Sequence, residues 1–102
     1  MNISFGDNVK ILASSETDAL GISGKLGQVY GETTPSVTSM EVIGELAEDY
    51  AINVSIEGFD ETFWLAPQLL EFVDHGQGTA LEIGNRKAVR RADGSWEELR
   101  EL

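Results

Sequence analysis

His75 is the only histidine in the chain, and histidine is the usual general base for a serine nucleophile. Such a base acts only when a further group holds its ring in place. His75 lies in the glycine-containing segment 74–78, which is typical of a linker, and nothing in the neighbouring sequence orients it. The sequence therefore predicts a solvated histidine and no catalytic residue.

Carboxylates form two clusters, Glu45, Glu48 and Asp49, and Glu57, Asp60 and Glu61. General acid–base catalysis needs two acids in contrasting, partly buried environments, whereas both clusters lie in predicted turns. Neither cluster has the ligand spacing of an EF-hand, and without cysteine there is no thiolate metal site. We expect no enzyme activity, no metal ion and no cofactor. The alternative is a small ligand-binding protein or hydrolase with acids around a barrel pocket.

The chain carries 18 acidic and seven basic residues, a formal net charge of −11. Residues 1–85 hold a charge of −12 and residues 86–102 a charge of +1. Nucleic-acid binding depends on Lys and Arg displacing counterions, so we expect no nucleic-acid partner. Solubility is the simplest explanation of the charge. The alternatives are an acidic decoy that binds a basic or DNA-binding protein, and self-association of the basic tail with an acidic face.

Aromatic side chains crowd onto predicted strands or strand ends. In the pair Phe63-Trp64 only one side chain can face a core, because successive strand residues point to opposite faces. A partly exposed Trp or Tyr among acids is a common anchor for a protein partner, although packing under the loop 32–49 explains the same pattern. The candidate partner-binding aromatics are Tyr30, Tyr50, Phe63 and Trp64.

A basic cluster occupies residues 86–91. Strand alternation puts Arg86 and Arg90 on one face and Arg91 on the other. An arginine of this strand can stack on Trp96 in the next one. The cluster either balances the chain's own acids or contacts an acidic partner, including a second copy of the chain. The candidate partner-binding residues here are Arg86, Arg90, Arg91 and Trp96.

The elements that would position these side chains are mostly strands. Period-two alternation and turn residues predict strands at 9–12, 25–30, 50–56, 61–65 and 70–73, with one helical turn at Pro67 and a loop over 13–24. After the linker, runs at 80–83, 87–91 and 95–97 predict a three-stranded meander. Its Asp93-Gly94 turn is a strong hairpin signal.

Residues 38–49 are ambiguous between helix and strand. Thr38-x-x-Glu41 resembles a capping box, and apolar residues follow it at helical spacing. Gly44 and the β-branched pair Val42-Ile43 oppose a helix. We favour a strand over 40–45.

Four motifs within residues 5–74 form a pattern that is known from other proteins. They are Gly6-Asp7-x-Val9-x-Ile11, Gly24-Lys25-x-Gly27-x-Val29, the paired strands at 50–56 and 61–66, and Pro67-x-x-Leu70. This order resembles the SH3-like small barrel, in particular its KOW-type and electron-transport accessory members. The resemblance implies a site among the loops and aromatics around the barrel. KOW-type members usually bind RNA or ribosomal proteins, which the acidic body opposes, whereas accessory members dock onto protein complexes.

Together these patterns predict a mainly β protein in one structural domain. Residues 1–75 would form an SH3-like, partly open barrel of about five strands, and residues 76–102 a β-meander packed on the barrel or on a second chain. No signal peptide or membrane-length apolar run is present, so we expect a cytoplasmic protein without membrane contact. The expected function is a non-catalytic protein–protein interaction or assembly module that forms a homodimer through residues 80–100.

Overall fold

The computed structural model describes residues 3–99, which form eight strands in two antiparallel sheets. The main sheet consists of β1 (Asn8–Ile11), β2 (Leu26–Thr33), β3 (Ala51–Ile56), β4 (Thr62–Leu65) and β5 (Leu70–Asp74). The C-terminal meander consists of β6 (Ala80–Ile83), β7 (Arg86–Arg90) and β8 (Trp96–Leu99). Two short helices, α1 (Ser15–Leu20) and α2 (Pro35–Thr38), and a 3-10 turn (Pro67–Leu69) complete the fold. The mainly β class and the meander are confirmed.

The main sheet has the strand order β4-β3-β2-β1-β5. The chain runs back and forth through its first four strands, and β5 then returns to pair with the outer side of β1. A bulge at Tyr30 shifts the register between β2 and β3 and increases the local twist. The sheet is open, with β4 and β5 at its two edges, so a closed barrel is not formed.

The core lies on one face of the main sheet and follows the predicted alternation. Ile52, Val54 and Ile56 of β3 are buried, as expected from the sequence. The other strands supply Val9, Ile11, Val29, Leu65 and Leu70, and Ile22 packs in from the loop after α1. Burying such side chains is the main favourable term in folding. The core therefore belongs to the main sheet, and the meander adds little to it.

Helix α1 occupies a segment that the sequence predicted as a loop. It is held by a capping box in which the Ser14 hydroxyl accepts from the Thr17 amide at 3.1 Å and the Thr17 hydroxyl accepts from the Ser14 amide at 2.8 Å. Gly21 ends the helix in the left-handed region. The usual capping box has Glu or Gln in the place of Thr17, and for this reason the helix was missed.

Residues 39–50 form neither the favoured strand nor the alternative helix. Only Ile43 makes a bridge, a parallel one with Leu65 at the edge of β4. The strand prediction over 40–45 was wrong because Gly44 adopts a φ of +95°, which ends the extended run after one residue. A Cβ at Gly44 would also lie 2.8 Å from the Leu69 side chain, so this position requires glycine.

The meander lengthens the molecule. The principal extents are 51 × 29 × 27 Å and the radius of gyration is 14.6 Å. A compact chain of this length has a radius of gyration of about 13 Å. The meander contacts the main sheet near Trp96 and Arg90, while Ile83 at the end of β6 is 66 % exposed. Much of its apolar surface is thus uncovered by the chain itself.

Candidate functional site

The two sheets are joined by a buried ion pair between Asp7, which precedes β1, and Arg90, which ends β7. Asp7 is fully buried and Arg90 is 3 % exposed, and the Arg90 Nη2 lies 2.7 Å from the Asp7 Oδ1. Arg90 also donates to the Phe5 carbonyl, and the Ser4 amide donates to the Asp7 Oδ2 at 2.9 Å. These added hydrogen bonds compensate part of the cost of burying the two charges, while the buried Arg90 Nε has no hydrogen-bond partner among the described residues. The pair fixes how the meander is placed on the main sheet.

His75 borders this buried cluster, with 34 % of its side chain exposed. Its Nδ1 lies 2.9 Å from the Asp7 Oδ1, and its ring packs edge-on against Phe72 with centroids 4.9 Å apart. The prediction that nothing orients this ring was wrong, because the linker is a tight turn. The Gly76 amide donates to the Asp74 carboxylate at 2.8 Å, and a Cβ at Gly76 would lie 2.3 Å from the Gly6 carbonyl oxygen.

The cluster has the residue types of a catalytic triad but not its geometry. The nearest serine hydroxyl, that of Ser4, contacts Asp7 and Arg90. Among the described residues no hydrogen bond joins the Ser4 hydroxyl to His75, so the serine–base contact of a triad is not formed. Asp7 is engaged by three partners at once. The arrangement is that of a structural clamp.

Trp96 covers the ion pair on its outer side. The Arg90 guanidinium lies 5.1 Å from the centre of the Trp96 ring, as expected for directly opposed residues of β7 and β8. The Phe5 ring lies 5.8 Å from the Trp96 ring. Gly6 leaves room for this stack, since a Cβ there would lie 3.0 Å from the indole. The predicted arginine–tryptophan contact is therefore made by Arg90.

The exposed bases of the meander are paired within the meander. Arg86 Nε lies 3.0 Å from the Glu98 carboxylate, and Arg91 Nε lies 3.6 Å from the Glu97 carboxylate. Exposed pairs of this kind contribute little to stability, about 0–1 kcal/mol each. Arg90, a candidate for partner binding, is buried in the ion pair, so it is not available to a partner in this structure.

An apolar groove crosses the exposed face of the meander and continues to the main sheet. Cross-strand pairing puts Leu81 and Ala88 on one face, which is also the face of Trp96. We define the junction groove by six of its apolar and aromatic lining residues: Phe5, Tyr30, Leu81, Ile83, Ala88 and Trp96. It comprises two adjoining cavities of about 320 and 250 Å³. Tyr30 is 52 % exposed and Ile83 is 66 % exposed, so the groove is open to solvent.

The other candidate aromatics lie elsewhere. Phe63 pairs with Val54 and packs against the core, with Phe59 edge-on at 5.5 Å. Trp64 pairs with Asn53 on the opposite face of the sheet and is half-buried. Tyr50 packs against the edge of the core. Phe63 and Trp64 border a separate open cavity at the β4 edge, and of the predicted aromatic residues only Tyr30 and Trp96 meet at the junction of the two sheets.

Sequence reasoning missed Asp7, Phe5 and His75 as members of the junction. Gly6-Asp7 has the composition of an ordinary turn, and Asp7 is one of 18 acids. The sequence feature that could have indicated this junction is Arg90, because strand alternation places it on the same face as Trp96. A guanidinium that is buried beneath an aromatic ring needs a counter-charge, which a carboxylate supplies. The sequence does not say which of the 18 acids supplies it.

No protein-family model, no curated protein and no solved structure matches this chain. Within residues 3–99 no helix is long and apolar enough to cross a membrane. The same residues contain no group of three or more side chains arranged to hold a metal ion. The junction groove must therefore be interpreted from its own geometry.

Tyr50 offers a test of the environment at the edge of the core. Burial and the neighbouring carboxylate of Glu32 raise the pKa of Tyr50 from 10.0 to about 12. Because the folded state holds the hydroxyl proton of Tyr50 more tightly than the unfolded state, we expect the free energy of unfolding to fall as the pH rises from 10 towards 12. In a Tyr30→Phe variant, the ultraviolet absorbance of the one remaining tyrosine should titrate near pH 12, and adding Glu32→Gln should lower the midpoint. A midpoint near 10 in Tyr30→Phe would contradict this environment.

Proposed function

We propose that this protein is a non-catalytic assembly module that associates with a second copy through the junction-groove face of its C-terminal meander. The main support for this proposal is the solvent-exposed apolar face of the meander, in particular the exposed Ile83 beside Leu81 and Ala88. A small sheet is marginally stable alone and is stabilised by further strands or by a second layer. The main sheet covers this face only at Trp96. A second copy would extend this sheet and place further apolar side chains beside Ile83 and Leu81.

The distribution of charge supports a second copy at this place. Residues 1–75 contain thirteen acids and two bases, whereas residues 76–102 contain five of each. Two copies that met through their main sheets would bring like charges together. Contact through the meander keeps the acidic parts apart. Dimers with two-fold symmetry are also the commonest protein oligomers.

For the main sheet, we propose further that its fold is related to the SH3-like small barrels. Two features support it: the return of β5 to the side of β1, and the 3-10 turn directly before β5. The acidic composition of residues 1–75 disfavours the RNA-binding role of the KOW-type members. Docking onto protein, as the accessory members do, agrees with the proposed assembly role.

Analytical ultracentrifugation of the wild-type chain and two matched variants tests the proposal. We expect the wild type to sediment at twice the monomer mass of 11.1 kDa in the micromolar range. Ile83→Asp puts a charge on the apolar face and should weaken the dimer by at least about tenfold, equivalent to about 1.4 kcal/mol. Val37→Asp is the control, because Val37 is 79 % exposed on α2 and lines neither cavity of the groove.

Two results would contradict the proposal. One is a monomer of 11.1 kDa across the whole micromolar range. The other is an equal effect of Ile83→Asp and Val37→Asp, which would mean that the added charge and not its position weakens the contact.

A further inference from the structure

The meander has two edges, and each carries backbone groups that point away from the sheet. Within the described residues β6 and β8 pair only with β7. The Arg90 amide donates to the Thr79 carbonyl at 2.8 Å. Because hydrogen bonding alternates along an antiparallel ladder, Leu81 also faces β7, while the amide and carbonyl of Ala80 and Glu82 point outward. An exposed edge of this kind is a template for another strand.

The two edges differ in charge. Strand β8 carries the consecutive acids Glu97 and Glu98, so a two-fold contact there would align four carboxylates. Charged side chains on an edge strand are a common protection against pairing. Strand β6 carries only Glu82, whose carboxylate lies 3.8 Å from the Lys87 ammonium. The β6 edge is therefore the one that permits pairing.

We propose that β6 pairs antiparallel with β6 of a second copy, so that the two meanders form one continuous six-stranded sheet. This inference rests on the proposed function and specifies the contact through which the copies associate. The occupant of the edge is a second copy because both copies then meet through the charge-balanced residues 76–102. Their acidic main sheets stay at opposite ends of the dimer.

The register follows from the outward-pointing groups. Only Ala80 and Glu82 can bond across the contact, so the two-fold axis passes through Ala80, Leu81 or Glu82. An axis at Ala80 would place Glu82 opposite Gly78, whose amide already donates to the Arg90 carbonyl, and would leave a single bonded pair. An axis at Glu82 would place two carboxylates directly opposite each other, which is unfavourable. An axis at Leu81 pairs Ala80 of each copy with Glu82 of the other. The structure assigns the Leu81 axis, with the two Leu81 side chains facing each other on the groove face.

This register also accounts for the exposed Ile83. With Leu81 on the axis, the partner's Ile83 lies opposite Thr79 of this chain. Thr79 borders the cavity that is lined by Phe5, Tyr30 and Trp96. The side chain of Ile83, which is 66 % exposed in one chain, thereby gains an apolar site on the other. The groove residues and the edge strand thus serve the same contact.

Engineered cysteines test the axis, and the chain has no native cysteine to interfere. In the proposed register two Leu81 residues form a non-hydrogen-bonded pair with Cα atoms about 4.5 Å apart, within the range of a disulfide. Leu81→Cys should therefore form a covalent dimer on mild oxidation. Ala88→Cys, on the same face but in the central strand, and Glu98→Cys, on the other edge, should stay uncrosslinked.

A proline variant tests the intermolecular hydrogen bonds of the same edge. Ala80→Pro removes an amide that points outward, so the ladder with β7 remains intact. Each dimer loses two intermolecular hydrogen bonds, and we expect dimerisation at least about tenfold weaker with little change in monomer fold by circular dichroism. Glu98→Pro makes the equivalent change on β8 and should leave the dimer unaffected.

The outcomes separate this inference from the proposed function. One outcome would overturn the β6 contact and leave the assembly role standing. In that outcome Ile83→Asp weakens the dimer, but Leu81→Cys forms no crosslink and Ala80→Pro has no effect on dimerisation. Crosslinking through Glu98→Cys would assign the contact to β8 instead. A wild-type chain that stays monomeric would remove both.

Discussion

Replacing Asp7 by asparagine is expected to lower the free energy of unfolding by about 3–5 kcal/mol, because it breaks a buried ion pair from one side. The carboxylate is fully buried, and it is contacted by Arg90 at 2.7 Å and His75 at 2.9 Å. Asparagine keeps the size of the side chain but leaves the Arg90 guanidinium buried without a counter-charge. Urea denaturation followed by circular dichroism measures the change.

Two further variants isolate the role of the ion pair. Asp60→Asn removes the same charge from an exposed turn and should change stability by less than about 0.5 kcal/mol. The double variant Asp7→Asn with Arg90→Met removes both charges, so it should be less destabilised than the sum of the single variants. Additive effects, or an Asp7→Asn variant as stable as the wild type, would show that Arg90 does not depend on this carboxylate.

Truncating Trp96 to alanine is expected to destabilise the chain by about 3 kcal/mol. The indole is half-buried, stacks on the Arg90 guanidinium and packs against Phe5. Its removal takes away the main apolar contact between the meander and the main sheet and opens the buried ion pair to water. Thermal and urea unfolding of the variant measure the loss.

Trp96→Phe serves as the matched variant, because it keeps an aromatic ring beside Phe5 while reducing the contact with Arg90. We expect the stability of Trp96→Phe to lie between that of the wild type and that of Trp96→Ala. An unchanged melting temperature for Trp96→Ala would mean that the meander is held by other contacts. In that case the role of Trp96 in the junction groove would also be doubtful.

The fold was largely predictable because strand signals are local. In β3, apolar Ile52, Val54 and Ile56 alternate with polar Asn53 and Ser55, and this period-two pattern needs no knowledge of the rest of the chain. The meander was predicted from its turn residues for the same reason. Helix α1 was missed because its capping residue is Thr17, and the single bridge at Ile43 depends on the edge of β4, which is distant in sequence.

The candidate site was predictable only in part. Tyr30 and Trp96 follow from residue type and strand alternation. The buried cluster does not, since Asp7 and Arg90 are 83 residues apart and only the folded topology brings them together. His75 was assigned to a flexible linker because glycine is common in such segments. The close approach of Gly76 to Gly6, which fixes the turn, is a long-range contact without a local signal.

The Asp7–Arg90 pair connects two points that lie near the opposite ends of the chain. A pulling force applied to the two termini would therefore be transmitted through this pair once β8 has separated from β7. Until it breaks, the pair shares this load with the backbone hydrogen bonds between Gly6 and Val29 and between Arg90 and Thr79. In mechanical terms the pair is a clamp that lets the C-terminal strand yield first and protects the hydrophobic core. A chain linked to neighbours by its ends would thus lose its meander before it lost its fold.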